Sequence, residues 1–262
     1  MPLEHSDISR MLEVATVAAR LAGQRAMEDI NYITPHIKNG SEIVTNADTA
    51  CQQIILDRIK ETYPDHGFIA EEGQDGNPLN QSPRGSESIW WIIDPIDGTN
   101  NYANGIMNFT VSIAAMHQGS PIVGVIFEPA TESMFTTAKG TDSQLNSSRI
   151  KVNETDITPY TSFGVDSHFT EDVEPAILEL IKKTKYRNLG STALHLAYVA
   201  KGSLIGTITP ANKIWDIAAG VILIENAGGM VTTIEGKKLF PLDDIAESAN
   251  KKFALLAANK TI

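Results

Sequence analysis

The chain has 262 residues, of which 42% are apolar and 20% charged, as in an ordinary folded protein rather than a disordered one. Its net charge of −11 opposes non-specific binding to nucleic acid or to anionic membranes, because the summed field repels phosphate groups. The single cysteine, Cys51, excludes an internal disulfide and a cysteine-based metal site, and no apolar run reaches the roughly 20 residues of a membrane span.

Helices and then strands are predicted in the first half of the chain. Apolar residues recur at helical spacing over residues 7–30, and a second helix is predicted over 47–62. After a polar loop over 73–88, the apolar run over 89–93 predicts a buried strand that leads directly into Asp94. Alternating apolar residues beyond it predict an antiparallel meander, with runs at 109–113, 123–127 and 134–135.

Strands alternate with helices in the second half of the chain. The polar run over 140–149 is the predicted seam of a single domain, 1–262, between an N-terminal α+β half (about 1–145) and a C-terminal α/β half (about 146–262). Beyond it the pattern predicts strands at 162–165, 204–208 and 230–234, and helices at 171–183, 192–200 and 217–225. The whole is a mixed α/β protein of stacked sheets and helices.

Acidic residues stand at the ends of these predicted elements. Carboxylates just beyond buried strands lie where α/β folds place ligands. Oxygen ligands without histidine or cysteine neighbours favour Mg²⁺. The acidic positions are Asp48, Glu71 with Glu72, Asp94 with Asp97, and Asp216.

Asp94 and Asp97 are the most informative pair. Pro95 stiffens the backbone between them, so both carboxylates can aim at one point, where their repulsion requires a cation. The following Gly98 lets backbone N–H groups approach an anion, and Thr99 adds a hydroxyl. Two residues separate the aspartates, one more than in phosphatases with an aspartate nucleophile, so a phospho-aspartyl intermediate is not expected.

Each acidic position also has a purely structural explanation. Asp97 is a common turn residue, Asp216 is a possible N-cap of the helix after it, and Glu71–Glu72 is a possible solvated turn. For each residue considered alone, the structural explanation is favoured over a metal site. Taken together, beside Gly-Thr and after apolar runs, the residues favour a metal site.

At this point the sequence resembles the inositol monophosphatase family, within the superfamily that includes fructose-1,6-bisphosphatase. The resemblance covers nearly the whole chain, since the matching segments occur in the family's order. They are Ile43-Val44-Thr45-Asn46-Ala47-Asp48, Phe68-Ile69-Ala70-Glu71-Glu72, Trp91-Ile92-Ile93-Asp94-Pro95-Ile96-Asp97-Gly98-Thr99-Asn100-Asn101-Tyr102, Gly190-Ser191-Thr192-Ala193-Leu194, Trp215-Asp216-Ile217-Ala218-Ala219-Gly220 and Asn226-Ala227-Gly228-Gly229.

The resemblance implies a set of metal ligands. Glu71, Asp94 and the carbonyl of Ile96 would hold a first Mg²⁺, while Asp94, Asp97 and Asp216 would hold a second. A third, weaker ion would lie near Glu71. The cofactor is therefore expected to be two or three Mg²⁺ ions.

It also implies catalytic and substrate-binding residues. Asp48 and Thr99 would position and activate the attacking water, with Glu71 as the third catalytic residue and Glu72 behind the ligands. The substrate-binding set implied is Asp97, Gly98, Thr99, Gly190, Ser191, Thr192 and Asp216.

The fold implied is a layered αβαβα sandwich, and the activity is Mg²⁺-dependent hydrolysis of a small phosphate monoester by metal-activated water. A homodimer, sensitivity to lithium and a small phosphorylated metabolite as partner follow from the same resemblance. The N-terminus shows no signal-peptide pattern, so the cytoplasm is expected. Neither a nucleic-acid polymer nor a membrane is expected as partner.

The substrate stays open. Inositol-directed members carry an acidic residue seven positions before the signature aspartate, where this chain has Thr209. Lys213 suits a second anionic group, and the match of Lys38 to a family lysine is imperfect in spacing. A 3′(2′),5′-bisphosphate nucleotide, fructose 1,6-bisphosphate, histidinol phosphate and NADP are alternative substrates. A regulatory protein that binds phosphometabolites with little turnover is the alternative of another class.

Overall fold

The computed structural model describes residues 3–38, 42–84, 88–167 and 175–259. Most elements of its first half are strands. In chain order they are α1 (His5–Asp29), β1 (Pro35–Lys38), β2 (Glu42–Thr45), α2 (Asn46–Lys60), β3 (Gly67–Ala70), β4 (Leu79–Gln81), β5 (Ile89–Asp97), α3 (Thr99–Ala103), β6 (Thr110–His117), β7 (Ser120–Glu128), β8 (Ser133–Ala138), β9 (Gln144–Leu145) and β10 (Ser148–Arg149).

Helices and strands alternate through much of the second half. The elements are β11 (Ser162–Val165), α4 (Pro175–Lys182), β12 (Lys185–Arg187), α5 (Thr192–Ala200), β13 (Gly206–Asn212), α6 (Ile214–Asn226), β14 (Met230–Thr233), α7 (Ile245–Ser248) and β15 (Phe253–Ala258).

Eight of the strands form one sheet, in the order β10-β9-β8-β7-β6-β5-β3-β4. Strands β5 to β8 pair antiparallel with their chain neighbours, which confirms the predicted meander. Strand β3 pairs parallel with β5, with Ala70 opposite Ile93. Because Glu71 follows Ala70 and Asp94 follows Ile93, these two acidic residues start from neighbouring positions.

A second sheet of five strands has the order β12-β11-β13-β15-β14. Strand β11 lies parallel to both β12 and β13, while β13, β15 and β14 pair antiparallel. The first sheet ends at Arg149 and the second begins at Ser162, so the change of sheet falls after the polar run over 140–149.

The elements stack in five layers. Helices α1 and α2 cover one face of the eight-stranded sheet, with a core that includes Ala18, Ile55 and Trp91. Helices α5 and α6 lie between the two sheets, where Leu196 and Ile217 are fully buried. On the outer face of the second sheet, α4 contributes Leu180 to a small cluster around Phe163 and Ile208. This arrangement confirms the predicted αβαβα sandwich.

Helix α1 packs closely because its buried face is made of small residues. Ala15, Ala18, Ala22 and Ala26 are fully buried and leave little side chain between α1 and its neighbours. The Cys51 thiol of α2 donates a hydrogen bond to the Ala22 carbonyl at 3.3 Å. Burial raises the pKa of this thiol to about 12, so Cys51 is a packed, uncharged group.

Several predicted boundaries differ from the structure. Helix α6 starts at Ile214 rather than at 217, so Asp216 lies in its first turn and the N-cap interpretation is wrong. Strand β5 continues through Asp97, four residues beyond its predicted end. The helix predicted over 171–183 is present as α4, whereas 171–174 lie outside the described residues. In the described part of the chain, no helix is long and apolar enough to cross a membrane.

Candidate metal centre

Three carboxylates converge at the end of β5. Asp94, Asp97 and Asp216 each offer one oxygen, and these oxygens all lie within 4.8 Å of one another. Asp94 and Asp97 are buried, and Asp216 is half-buried. The three come from β5 and from the first turn of α6.

A β-bulge explains how both aspartates of β5 reach this point. Side chains alternate between the two faces of a strand, so residues three apart normally point in opposite directions. Here Asp94 pairs with Ser112 and Asp97 with Thr110, so that three steps on β5 match two on β6. The extra residue reverses the alternation and turns both carboxylates toward α6.

Asp97 is fixed by the start of α5. One of its oxygens accepts hydrogen bonds from the Ser191 hydroxyl at 2.5 Å and from the Ala193 N–H at 2.6 Å. Ser191 is also the N-cap of the helix, since its hydroxyl accepts a hydrogen bond from the Leu194 N–H at 3.2 Å. Through this N-cap, helix α5 is linked to the carboxylate cluster.

Local backbone groups hold the other two carboxylates. Asp94 accepts a hydrogen bond from the Ile96 N–H at 3.1 Å, and Asp216 accepts one from the Lys213 N–H at 2.7 Å. Each of these carboxylates can still accept further hydrogen bonds.

The charge on this cluster is costly without a cation. Burial, followed by the negative charges of Glu71 and Asp97, raises the pKa of Asp94 well above its usual range. Burial also raises the pKa of Asp97, although the Ser191 hydroxyl partly offsets this. The pKa of Asp216 is raised by burial and then by the charge of Asp97. A bound divalent cation would reverse these shifts, and a purely oxygen donor set suits a hard ion such as Mg²⁺.

Glu71 and Glu72 lie beside the cluster but not within it. Glu71 is half-buried, and its charge is the largest electrostatic contribution to the raised pKa of Asp94 after burial itself. The backbone of Glu72 is bonded on both sides to the amide of Gln52, which accepts from its N–H at 2.9 Å and donates to its carbonyl. Gln52 on α2 therefore fixes the segment after β3.

Asp48 and Thr99 meet although they are 51 residues apart in the chain. The Thr99 hydroxyl lies 3.1 Å from one Asp48 oxygen and 2.9 Å from the Ile96 carbonyl oxygen. The other Asp48 oxygen accepts from the Thr45 N–H at 2.8 Å and from the Thr45 hydroxyl at 2.6 Å. Burial raises the pKa of Asp48 to about 6. The pair is thus a hydroxyl next to a carboxyl group that can take up a proton near neutral pH.

Two glycines shape the backbone around this pair. Gly98 has φ +97°, and a Cβ there would lie 3.0 Å from the Asn108 carbonyl and 3.1 Å from that of Gly190. Gly190 has φ +72° and faces Asn101, whose amide donates to the carbonyls of Asn108 and Leu189 at 2.7 Å each. Asn101 lies in α3, and its two bonds join the segments before β6 and α5.

A group of polar side chains lies beside Asp97, around the predicted substrate contact Thr192. Thr209 is fully buried, and its hydroxyl accepts from the Asn212 amide at 2.7 Å. The Thr192 hydroxyl lies 3.0 Å from Asn212 Oδ1 and 3.5 Å from Asp166 Oδ2. Asp166 was not singled out in the sequence, although it directly follows the predicted strand over 162–165, as Asp94 follows the predicted strand over 89–93.

Of the two lysines raised by the sequence, Lys213 contacts the cluster through its backbone, whose N–H donates to Asp216. The Lys213 ammonium lies 5.8 Å from the centre of the Trp215 ring. Lys38 is the last residue of β1, and its side chain lies outside the described part of the structure.

Comparisons with known proteins show similarity over most of the chain. A model of the inositol monophosphatase family matches residues 7–261. The Nus factor SuhB of Pasteurella multocida is 35% identical over 236 residues, which cover 86% of this chain and 86% of that protein.

Solved structures share the fold over almost the whole chain. The extragenic suppressor protein suhB from Bartonella henselae has a TM-score of 0.82 and 28% identity, covering 96% of this chain and 94% of that one. The inositol monophosphatase from Anabaena (Nostoc) has a TM-score of 0.78 and 32% identity, covering 97% of this chain and 92% of that one.

Proposed function

Because the chain belongs to the inositol monophosphatase family, we propose that it is a Mg²⁺-dependent phosphomonoesterase that hydrolyses a small phosphate ester without a covalent intermediate. The observation that carries the proposal is the convergence of Asp94, Asp97 and Asp216 beside the Asp48–Thr99 pair. The first set suits cations that bind phosphate, and the second suits activation of a water molecule.

The residues present fit divalent cations. Asp94, Asp97 and Asp216 would hold one ion, and Glu71, Asp94 and the Ile96 carbonyl would hold another. When bound, Mg²⁺ lowers the pKa of a coordinated water and neutralises charge on the phosphate and the leaving oxygen. The raised pKa of the buried Asp94, caused first by burial and then by Glu71, supports a site built for positive charge.

The protein's own groups would supply orientation and proton transfer. Thr99 has one hydroxyl hydrogen and two acceptors within reach, Asp48 and the Ile96 carbonyl. When it donates to Asp48, its oxygen can accept a hydrogen bond from the attacking water and align it with the phosphorus. As the water gives its proton to the Thr99 oxygen, Thr99 would pass its own hydroxyl proton to the Asp48 carboxylate, which is thus the final proton acceptor. The backbone N–H groups of Gly98 and Thr99 would bind the phosphate oxygens.

A generic aryl phosphate tests the reaction without assuming a natural substrate. We expect turnover with Mg²⁺ and none with EDTA, and we expect lithium to inhibit it. The variant Thr99→Ser keeps the hydroxyl and should retain much of the rate, whereas Thr99→Ala should lose it. Equal rates for both variants would contradict the role of the hydroxyl, and a wild type without any turnover would contradict the proposal.

We also propose that the protein is a homodimer, on the basis of the family resemblance alone. Light scattering behind size exclusion tests this, because a monomer and a dimer of a 28.4 kDa chain differ twofold in mass. A mass of one chain at micromolar concentration would contradict it.

A second candidate is a regulatory protein with little turnover. It is favoured by the name Nus factor SuhB, which is carried by relatives about one third identical to this chain. The two candidates differ in one measurement, since a regulatory protein would bind a phosphate ester in Mg²⁺ without hydrolysing it. Binding without hydrolysis across a panel of inositol, nucleotide, histidinol and sugar phosphates would favour the second candidate.

A further inference from the structure

Asn212 is a buried asparagine at the end of the second sheet, directly before α6. It is the last residue of β13 and is 1% exposed. The next residue, Lys213, donates its N–H to Asp216 at 2.7 Å, so the main chain leads from Asn212 straight to one of the three converging carboxylates. Asn212 was not among the site residues predicted from the sequence.

The amide nitrogen of Asn212 bonds across a β-bulge. Strand β13 takes three steps from Thr209 to Asn212 where β15 takes two, and such a bulge disrupts the ladder. Nδ2 of Asn212 donates to the Thr209 carbonyl at 3.1 Å and to the Phe253 carbonyl at 3.0 Å, and it lies 2.7 Å from the Thr209 hydroxyl. Because carbonyls can only accept, these bonds fix the nitrogen on this side of the amide.

The oxygen of the same amide faces the start of α5. The Thr192 hydroxyl lies 3.0 Å from Asn212 Oδ1, which is closer than its distance of 3.5 Å to Asp166. Since Oδ1 can only accept, the Thr192 hydroxyl is the donor. Thr192 is the first residue of α5, and its N–H donates to Asp97. Asn212 therefore holds the helical turn that supplies donors to Asp97.

The supports of two carboxylates meet at Asn212. Its side chain holds Thr192, which bonds to Asp97, and its main chain continues into Lys213, which bonds to Asp216. These two carboxylates come from β5 and α6, which are separate elements of the fold. A change at Asn212 would therefore alter the position of Asp97 relative to Asp216.

We infer that Asn212 is a positioning residue, which holds Asp97 and Asp216 at the separation that a divalent cation requires without touching the cation itself. The inference rests on the proposed function for the identity of the cation as Mg²⁺. Mg²⁺ demands near-ideal octahedral geometry, so its affinity is sensitive to the placement of each ligand. Residues that orient metal ligands through hydrogen bonds commonly change the affinity for the metal when they are replaced.

Calorimetry of Mg²⁺ binding tests the inference without requiring turnover. Asn212→Leu keeps the approximate size of the side chain and removes its hydrogen bonds, so we expect the Kd for Mg²⁺ to rise about tenfold or more. Thr192→Val removes only the hydroxyl and keeps the N–H that bonds to Asp97. We expect this smaller change to raise the Kd roughly threefold or more.

Asn259→Leu is the matched control. Asn259 is 2% exposed, and its amide also donates to two main-chain carbonyls, those of Asn153 at 2.7 Å and Thr155 at 3.1 Å. Its N–H donates to the carbonyl of Ile205, just before β13 begins, so it lies at the opposite end of that strand from Asn212. Both leucine variants should lower the urea midpoint, but Asn259→Leu should change the Kd for Mg²⁺ by less than about twofold.

A double variant shows whether the effect passes through the Thr192 hydroxyl. If it does, Asn212→Leu combined with Thr192→Val should bind Mg²⁺ no more weakly than Asn212→Leu alone, because both changes remove the same hydrogen bond. A Kd that rises by the product of the two single effects would overturn the inference.

The outcomes separate this inference from the phosphatase proposal. An unchanged Kd for Asn212→Leu, or equal weakening by Asn212→Leu and Asn259→Leu, would overturn it even in a wild type that hydrolyses aryl phosphate. If Asn212→Leu does not fold, Thr192→Val decides, since a raised Kd supports the inference and an unchanged one overturns it. Selective weakening in a protein that binds Mg²⁺ without turnover would support the inference and contradict the phosphatase proposal.

Discussion

At the scale of single residues, Asp94 is a buried carboxyl group surrounded by other acidic side chains. It lies near Glu71, Asp97 and Asp216, and its burial makes that charge costly. Asp94→Asn keeps an acceptor oxygen for the Ile96 N–H but removes the charge. We expect kcat with Mg²⁺ to fall by more than about a hundredfold, the upper end for residues that merely support a metal ligand.

The same variant should not lose stability in a chelator. Removing one of several repelling charges relieves the native state, so the urea midpoint in EDTA should equal or exceed that of the wild type. Asp243→Asn, which removes one charge at an exposed position, serves as the charge control. A lower midpoint for Asp94→Asn in EDTA would mean that the carboxylate is needed for the fold and not for a cation.

His195 makes a separate contribution that depends on pH. It is 1% exposed, its Nε2 accepts a hydrogen bond from the Leu189 N–H at 2.9 Å, and burial lowers its pKa from 6.5 to about 4. The folded protein therefore holds the neutral form. Its stabilising contribution is complete above about pH 6.5 and is lost as the pH falls toward 4, because the unfolded chain then binds a proton first.

His195→Asn isolates this contribution, since asparagine does not titrate. Between pH 7 and pH 5 the wild type should lose about 2 kcal/mol more unfolding free energy than the variant. Urea unfolding at the two pH values measures the difference. Equal losses in both proteins would show that His195 does not titrate differently in the folded and unfolded states.

Site residues that lie close together in the chain were predicted from the sequence, whereas contacts between residues far apart in the chain were not. Asp94, Asp97, Gly98 and Thr99 share one short segment, so their spacing could be read directly. The contact between Gln52 and Glu72 spans 20 residues, and that between Asp166 and Thr192 spans 26. Such contacts depend on how the elements pack, which no local pattern specifies.

At the scale of elements, the turn between β5 and α3 depends on Gly98. A side chain there would be strained at φ +97° and would press on two carbonyl oxygens at 3.0 and 3.1 Å. Gly98→Ala should therefore destabilise the protein by roughly 2 kcal/mol or more, since both strain and crowding act. Urea unfolding of the variant in EDTA measures this cost apart from any effect on cations.

Gly105→Ala is a matched control for that prediction. Gly105 also has a positive φ, +70°, but nothing lies within 4 Å of a Cβ built there. It should show the strain alone, on the order of 1 kcal/mol. If the two variants lost equal stability, crowding against Asn108 and Gly190 would not be the cause.

Elements were predictable where burial produced a periodic pattern. The α1 helix and the β5–β8 meander were found because apolar residues recur at spacings of 3.6 and 2. The end of β5 was missed because its bulge around Pro95 and Ile96 interrupts the alternation. Strand β12 was missed because all three of its residues are exposed, so no apolar pattern marks it.

At the scale of the whole molecule, the candidate centre joins two layers. Asp94 and Asp97 belong to the eight-stranded sheet, and Asp216 belongs to α6 between the sheets. A cation bound to all three would favour the native arrangement over the unfolded chain. At a free Mg²⁺ concentration a hundred times its Kd, we expect about 2.7 kcal/mol of added unfolding free energy.

Thermal unfolding with and without Mg²⁺ checks this, with EDTA as reference. Asp94→Asn should show a much smaller shift than the wild type, and Asp243→Asn should show the full shift. Shifts of equal size in all three proteins would indicate general binding to an acidic surface, which a net charge of −11 makes the main competing explanation.

The layered architecture could be predicted from the sequence, but the strand order could not. Runs of strands followed by alternating strands and helices point to stacked sheets. The parallel pairing of β3 with β5 and the insertion of β15 between β13 and β14 are non-local choices. The first of these pairings brings Glu71 close to Asp94, so the site could be recognised from its sequence motif but not from a predicted topology.

The packing of Cys51 gives the protein an internal reporter of partial opening. Its thiol is enclosed between α2 and the Ala22 turn of α1, and its pKa of about 12 leaves almost no thiolate at neutral pH. A thiol reagent should therefore react only after the first two helices separate. The labelling rate would then report how often α1 and α2 separate under conditions where the rest of the fold stays intact.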